Sequence, residues 1–313
     1  MPELPEVETV RAGLAESLTG AKVQSVIVHD PRSLKRHLAG SRDFIETLSG
    51  RKIEAAVRRG KFLWLPLSRK RGEEQLALMG HLGMSGQMLL RSPDFEAEAL
   101  TRVTIKVRTA ERERLELRFV DQRIFGSLAI DFMEETPDGL TAGFSGTNEL
   151  FSWSNLIPSQ AKHIARDPLD PNYDLDAVLK KFKAKHSGIK RVLLDQQVVS
   201  GIGNIYADES LWRARIHYDQ PASTISNAKA SLLMAEVTQV LAAAVEAGGT
   251  SFDEQYKNIN GESGYFSVSL NAYGMTGLPC NRCGRAIRRD NWMNRGSHYC
   301  PNCQKLRTSR ASK

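Results

Sequence analysis

A chain of 313 residues with 41% hydrophobic side chains can bury two or three cores. It has no run of 18 apolar residues, so no membrane span is expected, and its first residues lack the basic segment and apolar run of a secretory leader. The net charge of +7 is lopsided: Cys280–Lys313 holds nine Lys/Arg against one acid, leaving the rest close to neutral. A concentrated basic end is the footprint of a nucleic-acid binder, or of a solvated tail. All four cysteines lie between Cys280 and Cys303, a crowding that favours a metal over disulfides and, with no leader, a cytoplasmic location.

The chain opens Met1-Pro2-Glu3-Leu4-Pro5-Glu6. A small second residue permits removal of the initiator methionine, which leaves Pro2 as a secondary amine. An α-amino group titrates near pH ~8 against ~10.4 for lysine, so much of it is nucleophilic at neutral pH. Pro5 suits the first turn of a helix, and Val7, Val10, Leu14 and Leu18 follow at helical spacing. The amine then precedes the positive end of a helix dipole, with Glu3 and Glu6 in reach. That is a Schiff-base or acid–base site in outline; the plainer reading is an acidic amphipathic helix.

Short strands follow at Lys22–His29, Arg51–Val57, Lys61–Leu67, Gln75–His81, Arg102–Arg108, Arg114–Val120 and Ser127–Asp131, separated by charged or glycine-containing turns. Their spacing predicts a sandwich or barrel, with no second long helix among them. A Gly/Ser/Pro/Asn-rich stretch, Thr136–Asn172, reads as a connector. The pattern then turns helical at Leu175–His186, Ile189–Gln196, Ile205–Arg215 and Asn227–Ala247. The resulting partition is a catalytic domain at 1–135, a linker at 136–173, a helical domain at 174–255, a loop plus metal module at 256–306 and a disordered tail at 307–313.

Two motifs carry chemistry in the second half. Asp195-Gln-Gln-Val-Val-Ser-Gly201-Ile-Gly203-Asn204-Ile-Tyr206 places a glycine turn before a helix, an arrangement that can bind an anion. Asn204 there is either the helix cap or a phosphate ligand, and as a bare motif it favours the cap. Cys280-x2-Cys283-x16-Cys300-x2-Cys303 is the spacing of a four-thiolate zinc ribbon, which holds one structural Zn2+. Arg282, Arg285, Arg288, Arg289 and Arg295 lie between the ligands, where a hairpin can offer them to phosphates.

In combination these segments resemble one family. PELPEVET, Arg58-Arg59-Gly60-Lys61-Phe62-Leu63, His81-Leu-Gly-Met84-Ser-Gly86, Asp121-Gln-Arg123-Ile-Phe125-Gly126, Val199–Tyr206, Gly264-Tyr265-Phe266 and the terminal ribbon occur in the order found in bacterial formamidopyrimidine-DNA glycosylases. The resemblance spans nearly the whole chain. It implies an α+β multidomain fold: an N-terminal helix and β-sandwich, a helix–two-turns–helix domain and a C-terminal zinc ribbon. It also implies a monomer acting on double-stranded DNA, excising oxidised purines such as 8-oxoguanine and formamidopyrimidines and then cleaving the strand. No membrane partner is expected.

A base inside a duplex is out of reach, so the damaged nucleotide must be flipped out. The resemblance makes Pro2 the nucleophile at the anomeric carbon of its sugar. The amine displaces the base and leaves a Schiff base, which acidifies the neighbouring sugar protons so that both phosphates can be eliminated in turn. Glu3 matches the acid/base and Glu6 a positional helper. Lys61 matches the lysine that grips a phosphate beside the lesion; alone it would read as an exposed strand lysine. Met84, Arg123 and Phe125 match the wedge that fills the vacated gap, with Arg123 facing the orphaned cytosine; alone, Met84 and Phe125 would read as core. His81, Lys190, Asn204 and Arg295 match phosphate contacts, which position a strand without reading its sequence. Lys257–Phe266 matches a mobile loop over the extruded base.

The sequence departs from the family pattern in three places. Gln122 and Ile124 replace the usual proline and arginine of Asp-Pro-Arg-Arg-Phe, which puts the shape of that loop and the opposite-base preference in question. Ile164-Ala-Arg-Asp167-Pro168-Leu169 departs from the usual hinge, and the tail after Cys303 is longer. Three other readings compete. In the endonuclease VIII branch, specific for oxidised pyrimidines, the chain normally starts Pro-Glu-Gly-Pro-Glu and lacks Asp-x-Arg-x-Phe, so Leu4, Arg123 and Phe125 argue against it. A non-catalytic zinc-ribbon DNA binder would not need Pro2, Glu3 and Lys61. A zinc-stabilised RNA binder has only charge in its favour.

Overall fold

The computed structural model describes residues 2–250, 259 and 270–307. They form two compact units: Met1–His163 with Ala247–Tyr265, and Ile164–Glu246 with Phe266–Lys313. The expected lid at 257–266 and tail at 308–313 fall outside the described residues, apart from Ile259.

The first unit starts with α1 (Leu4–Leu18), capped by Glu3. Leu4, Val7, Val10, Leu14 and Leu18 are all at most 2% exposed, so the helical spacing in the sequence becomes one buried stripe. Next come β1 (Lys22–Val28), α2 (Gly40–Leu48), β2 (Val57–Arg59), β3 (Phe62–Pro66), β4 (Leu76–His81), β5 (Gly86–Arg91), β6 (Thr101–Arg108), β7 (Arg114–Asp121), β8 (Ser127–Glu135) and β9 (Leu156–Pro158). One antiparallel sheet runs β1-β6-β7-β5, the other β2-β3-β4-β8-β9. Leu117 and Phe119 of the first and Leu63, Leu65 and Leu78 of the second join α1 in one core. Each such side chain, fully buried, contributes roughly 1.5–3 kcal/mol.

Four elements differ from the sequence reading. The strand expected at Arg51–Val57 forms only isolated bridges at Lys52 and Ile53, and the ladder strand there is β2, Val57–Arg59. α2 was not expected: it is only nine residues long, and its inward face is the short set Phe44, Ile45 and Leu48. β5 was hidden beside the glycines of His81–Gly86, yet it pairs with β7 from Gly86↔Asp121 to Arg91↔Glu116. The stretch expected as a connector carries β9, which pairs with β8, and Ala142, Trp153, Ile157 and Ala161 join Trp64 in a second core. Those four residues are too irregularly spaced to show a period.

The second unit holds α3 (Leu175–Ala184), α4 (Ile189–Leu193), α5 (Asn204–Ala214), α6 (Asn227–Glu246) and a hairpin of β10 (Arg288–Trp292) and β11 (Arg295–Tyr299). α6 is long and apolar enough to cross a membrane by composition. Its Ala230, Leu233, Met234, Val237, Val240, Leu241 and Ala244 are nevertheless buried within the protein at helical spacing, as in a core helix.

Candidate functional site

Pro2 and Glu3 are buried at the N-terminal end of α1. The Glu6 carboxylate organises this start. Its Oε2 accepts from the Glu3 N–H at 2.9 Å, and its Oε1 accepts from Thr250 N at 2.8 Å and Thr250 Oγ1 at 3.0 Å. Glu6 thus ties the first helical turn to the segment after α6. A second buried carboxylate, Glu8, pairs with Arg11 at 2.9 Å and with Arg58 at 2.6 Å. Arg11 and Arg58 also lie over the Phe144 ring, 5.2 and 5.5 Å from its centroid. This network fixes α1 to β2, the strand that leads to Lys61. Sequence reasoning gave Glu8 and Arg58 no role, although both lie inside the recognised motifs. Lys61 follows Gly60 in the two-residue turn joining β2 to β3, with Arg59 opposite Phe62. Gly60 takes φ +57°, as the first central residue of a II′ hairpin does. Lys61 was expected on the strand itself; it stands at the tip.

The expected wedge residues come together on two adjoining loops. Asp121, fully buried, staples them: its Oδ1 accepts from Ser85 Oγ at 2.6 Å and Arg123 N at 3.1 Å, and its Oδ2 accepts from Gly126 N at 2.7 Å. Lys35 Nζ donates to the carbonyls of Ile124 and Phe125 at 2.9 and 3.0 Å. A Cβ at Gly83, which has φ +62°, would lie 2.5 Å from the Phe125 carbonyl carbon, so only glycine allows this approach. The loops leave Met84 42% exposed and Phe125 49% exposed, with Arg123 exposed beside them. These side chains are therefore not core. Ser85 and Lys35 were missed by sequence reasoning, since their partners are distant in the chain. Ile124, one of the departures, sits at φ +55°, a left-handed conformation that a β-branched residue adopts only under strain.

His81 ends β4, half-buried against the Phe62 ring, with its Nδ1 lacking a partner among the described residues. Burial first, then the charges of Arg36 and Lys35, pull its pKa down to about 4. It stands as a neutral imidazole at neutral pH, able to donate one N–H but not to supply a cation.

In the second unit the turn before α5 is held by Gln196. Its Oε1 accepts from Gly201 N at 2.9 Å and its Nε2 donates to Ile202 O at 3.1 Å. Gly203 is the residue that caps α5, and Asn204 is the first helical residue, so Asn204 is not the cap. Its Nδ2 instead donates to Gly296 O at 3.2 Å, while its buried Oδ1 has no partner among the described residues. Arg295 is exposed at the start of β11, after a turn in which Met293 and Asn294 both take positive φ.

Lys190 requires a correction. Expected at a phosphate, it is fully buried. Its ammonium pairs with Asp208 at 2.6 Å and donates to Ser297 Oγ at 2.8 Å and Gly296 O at 3.2 Å. With its charge matched by Asp208 inside the fold, Lys190 braces α4, α5 and β11. Arg282 is similarly turned inward: it donates to the carbonyls of Trp212 and Arg213 and stacks 3.8 Å from the Trp212 ring centroid.

The Sγ atoms of Cys280, Cys283, Cys300 and Cys303 lie within 4.8 Å of one another. A tetrahedral shell with Zn–S near ~2.3 Å needs sulfurs under about 4 Å apart, which modest adjustment of this cluster provides. The Trp212 indole N–H points at Cys280 Sγ at 3.4 Å, and Cys303 N at Cys300 Sγ at 3.4 Å, both suited to thiolate charge. The set fits one structural zinc.

A sandwich with an acid-capped leading helix and an exposed apolar-and-arginine tip, together with a helical unit bearing a zinc ribbon, defines a zinc-containing protein built to process nucleic acid. Comparison with known proteins narrows the class. Residues 1–128 match the formamidopyrimidine-DNA glycosylase N-terminal domain, 164–255 its H2TH domain, and 277–306 the zinc finger found in that family and in isoleucyl-tRNA synthetase. A formamidopyrimidine-DNA glycosylase of Leifsonia xyli is 54% identical, covering 98% of this chain and 100% of the relative. One from Kineococcus radiotolerans is 48% identical, covering 97% of each. A Lactococcus lactis enzyme in complex with Fapy-dG DNA aligns with a TM-score of 0.76 at 30% identity, covering 97% of this chain and 100% of the other. MutM in complex with carbocyclic 8-oxo-G DNA aligns with a TM-score of 0.77 at 31%, with the same coverage. The chain belongs to the formamidopyrimidine-DNA glycosylase family.

Proposed function

We propose that Pro2, Glu3 and Lys61 carry out the chemistry of this base-excision repair enzyme on DNA containing oxidised purines. The observation that carries the reading is the buried start of α1, where Glu6 holds the Glu3 backbone and Thr250 at once. That fixes the nucleophile and its acid in one geometry, the main requirement for attack on a flipped nucleotide. After Met1 is removed, the Pro2 nitrogen forms a bond to the anomeric carbon as the base departs with its bonding electrons and takes up a proton. The sugar ring opens, with Glu3 supplying the proton to its oxygen, and the nitrogen lone pair completes an iminium. Loss of the adjacent sugar proton expels the 3′ phosphate, and a second elimination releases the 5′ phosphate. Lys61, at its hairpin tip, neutralises a flanking phosphate. Met84 and Phe125 fill the vacated stack and Arg123 faces the opposite base, while His81, Asn204 and Arg295 hold the backbone. The enzyme acts as a monomer in the bacterial cytoplasm, with α6 serving as a core helix and no membrane involved.

Borohydride trapping tests this. Protein lacking Met1, incubated with duplex DNA carrying 8-oxoguanine opposite cytosine, should yield a covalent adduct on the N-terminal peptide. Pro2→Gly should lose most activity, and Glu3→Gln should bind lesion DNA without releasing the base. An adduct on Lys61, or base release with no adduct, refutes the amine mechanism.

A further inference from the structure

At the C-terminal end of α5 the second unit carries a partly open pocket of about 470 Å3 that the repair chemistry does not use. Its volume is in the range of small-molecule sites, roughly 300–1,000 Å3. Four cations line it: Arg215, Lys229, Lys305 and Arg307. None of the four has an ion-pair partner among the described residues; Arg215, Lys305 and Arg307 are exposed and Lys229 is half-buried, so four like charges converge on one concave surface. Burial, followed by the charges of Arg307, Arg215 and Arg282, lowers the Lys229 pKa. The fold therefore holds this ammonium against like charge with no counter-ion of its own.

The cavity is built from pinned backbone. Buried Gln220 donates to Arg307 O at 3.1 Å and accepts from Arg307 N at 2.8 Å, fixing the chain beyond the ribbon against the 3-10 turn before α6. Arg215 caps α5 in the left-handed region, at φ 54° and ψ 48°, a strained conformation for an L-residue. Ile216 and Ile225, both 5% exposed, add apolar surface between the cations. Ser226, also in the lining, accepts from Lys229 N at 3.3 Å, so the positive end of the 20-residue α6 opens at the rim.

This cavity lies away from the expected DNA contacts. Asn204 begins α5 and Arg215 follows its last turn, about 16 Å along the axis. Arg295 begins β11, whereas Lys305 and Arg307 come after the knuckle that follows the far end of that strand. We propose that this cavity binds a nucleoside diphosphate or triphosphate, the phosphates among the four cations and the nucleoside against Ile216 and Ile225. The four uncompensated charges suit two or more phosphate groups, and the apolar wall accounts for a nucleoside over inorganic phosphate.

The zinc-loaded full chain should be titrated with ADP by calorimetry at physiological salt, with pyrophosphate as the comparison. ADP is expected to bind at one site per chain, more tightly than pyrophosphate. Lys229→Gln and Lys305→Gln should each weaken ADP binding about tenfold, the scale of one charge-assisted phosphate contact, with affinity for lesion DNA and base excision unchanged. A saturating undamaged duplex should leave ADP in place. Failure of folded protein to bind ADP at millimolar concentration overturns the proposal. So does pyrophosphate binding as tightly as ADP, because the apolar wall then does nothing, and so does displacement of ADP by duplex, because the cavity is then part of the DNA face.

Discussion

Replacing Lys190 by alanine separates a buried brace from a phosphate ligand. The ammonium sits 2.6 Å from Asp208, and both side chains are fully buried. Alanine leaves Asp208 uncompensated, with the backbone N–H and ring Nδ1 of His298 beside its other oxygen, at 2.9 and 3.2 Å, as its hydrogen-bond partners among the described residues. Breaking one side of a buried pair typically costs about 3–5 kcal/mol, a large share of the roughly 5–15 kcal/mol that stabilises a domain. The change also removes two hydrogen bonds from Gly296 and Ser297, directly after Arg295. Lesion-DNA affinity should therefore fall, because β11 loses its anchor, while the number of phosphates neutralised stays the same. Chemical denaturation and affinity measured across a salt series read the two effects separately. Arg295→Ala should reduce the slope of log affinity against log salt by about 0.9 with little change in stability. Lys190→Ala should keep the slope and lose stability. A Lys190→Ala protein within about 1 kcal/mol of wild type, with a slope reduced like that of Arg295→Ala, would falsify the brace and restore a phosphate role.

Three further outcomes are expected. Cys300→Ser, or chelation of the metal, should take bound zinc from one per chain to none, unfold the ribbon and cut DNA affinity, because structural zinc contributes folding free energy directly; elemental analysis and a preserved sandwich transition in thermal unfolding check this, and active protein without zinc would refute it. Ile124→Asn should relieve the left-handed strain and raise stability by up to about 1 kcal/mol, read from the denaturant midpoint; an equal loss would show that the isoleucine's packing outweighs its strain. His81, with its pKa lowered from 6.5 to about 4, binds a proton more readily in the unfolded chain, so its contribution is complete above pH 6.5 and lost as pH falls toward 4. Wild type should lose about 2 kcal/mol more than His81→Gln between pH 7 and pH 5, and parallel pH profiles for the two proteins would refute the burial.

What could be read from the sequence follows from how far apart the interacting residues lie. The α1 stripe and the four cysteines were legible because each repeats within a few residues: Val7, Val10, Leu14 and Leu18 by helical period, the thiols by paired spacing. Lys190 was misassigned because Ser297, one of its acceptors, lies 107 positions away and nothing beside the lysine marks it as buried. The same holds for β9, whose place in the sheet depends on β8 rather than on any period of its own.

Asp121 shows the limit most clearly. In the sequence it opens a motif whose value seems to lie in Arg123 and Phe125. In the fold its carboxylate takes hydrogen bonds from Ser85, Arg123 and Gly126, and so joins the Met84 loop to the Phe125 loop. Gly83, which reads as ordinary turn chemistry, is where the two backbones nearly touch. Neither residue needs to contact DNA to matter. A buried carboxylate with three donors and a glycine without room for a methyl group together fix where an exposed methionine, arginine and phenylalanine stand. In the proposed wedge role these side chains must enter a base stack as a rigid unit, and the departures at Gln122 and Ile124 would then act through this scaffold. They can alter the angle at which Arg123 and Phe125 are presented while the Asp121 staple keeps the two loops joined.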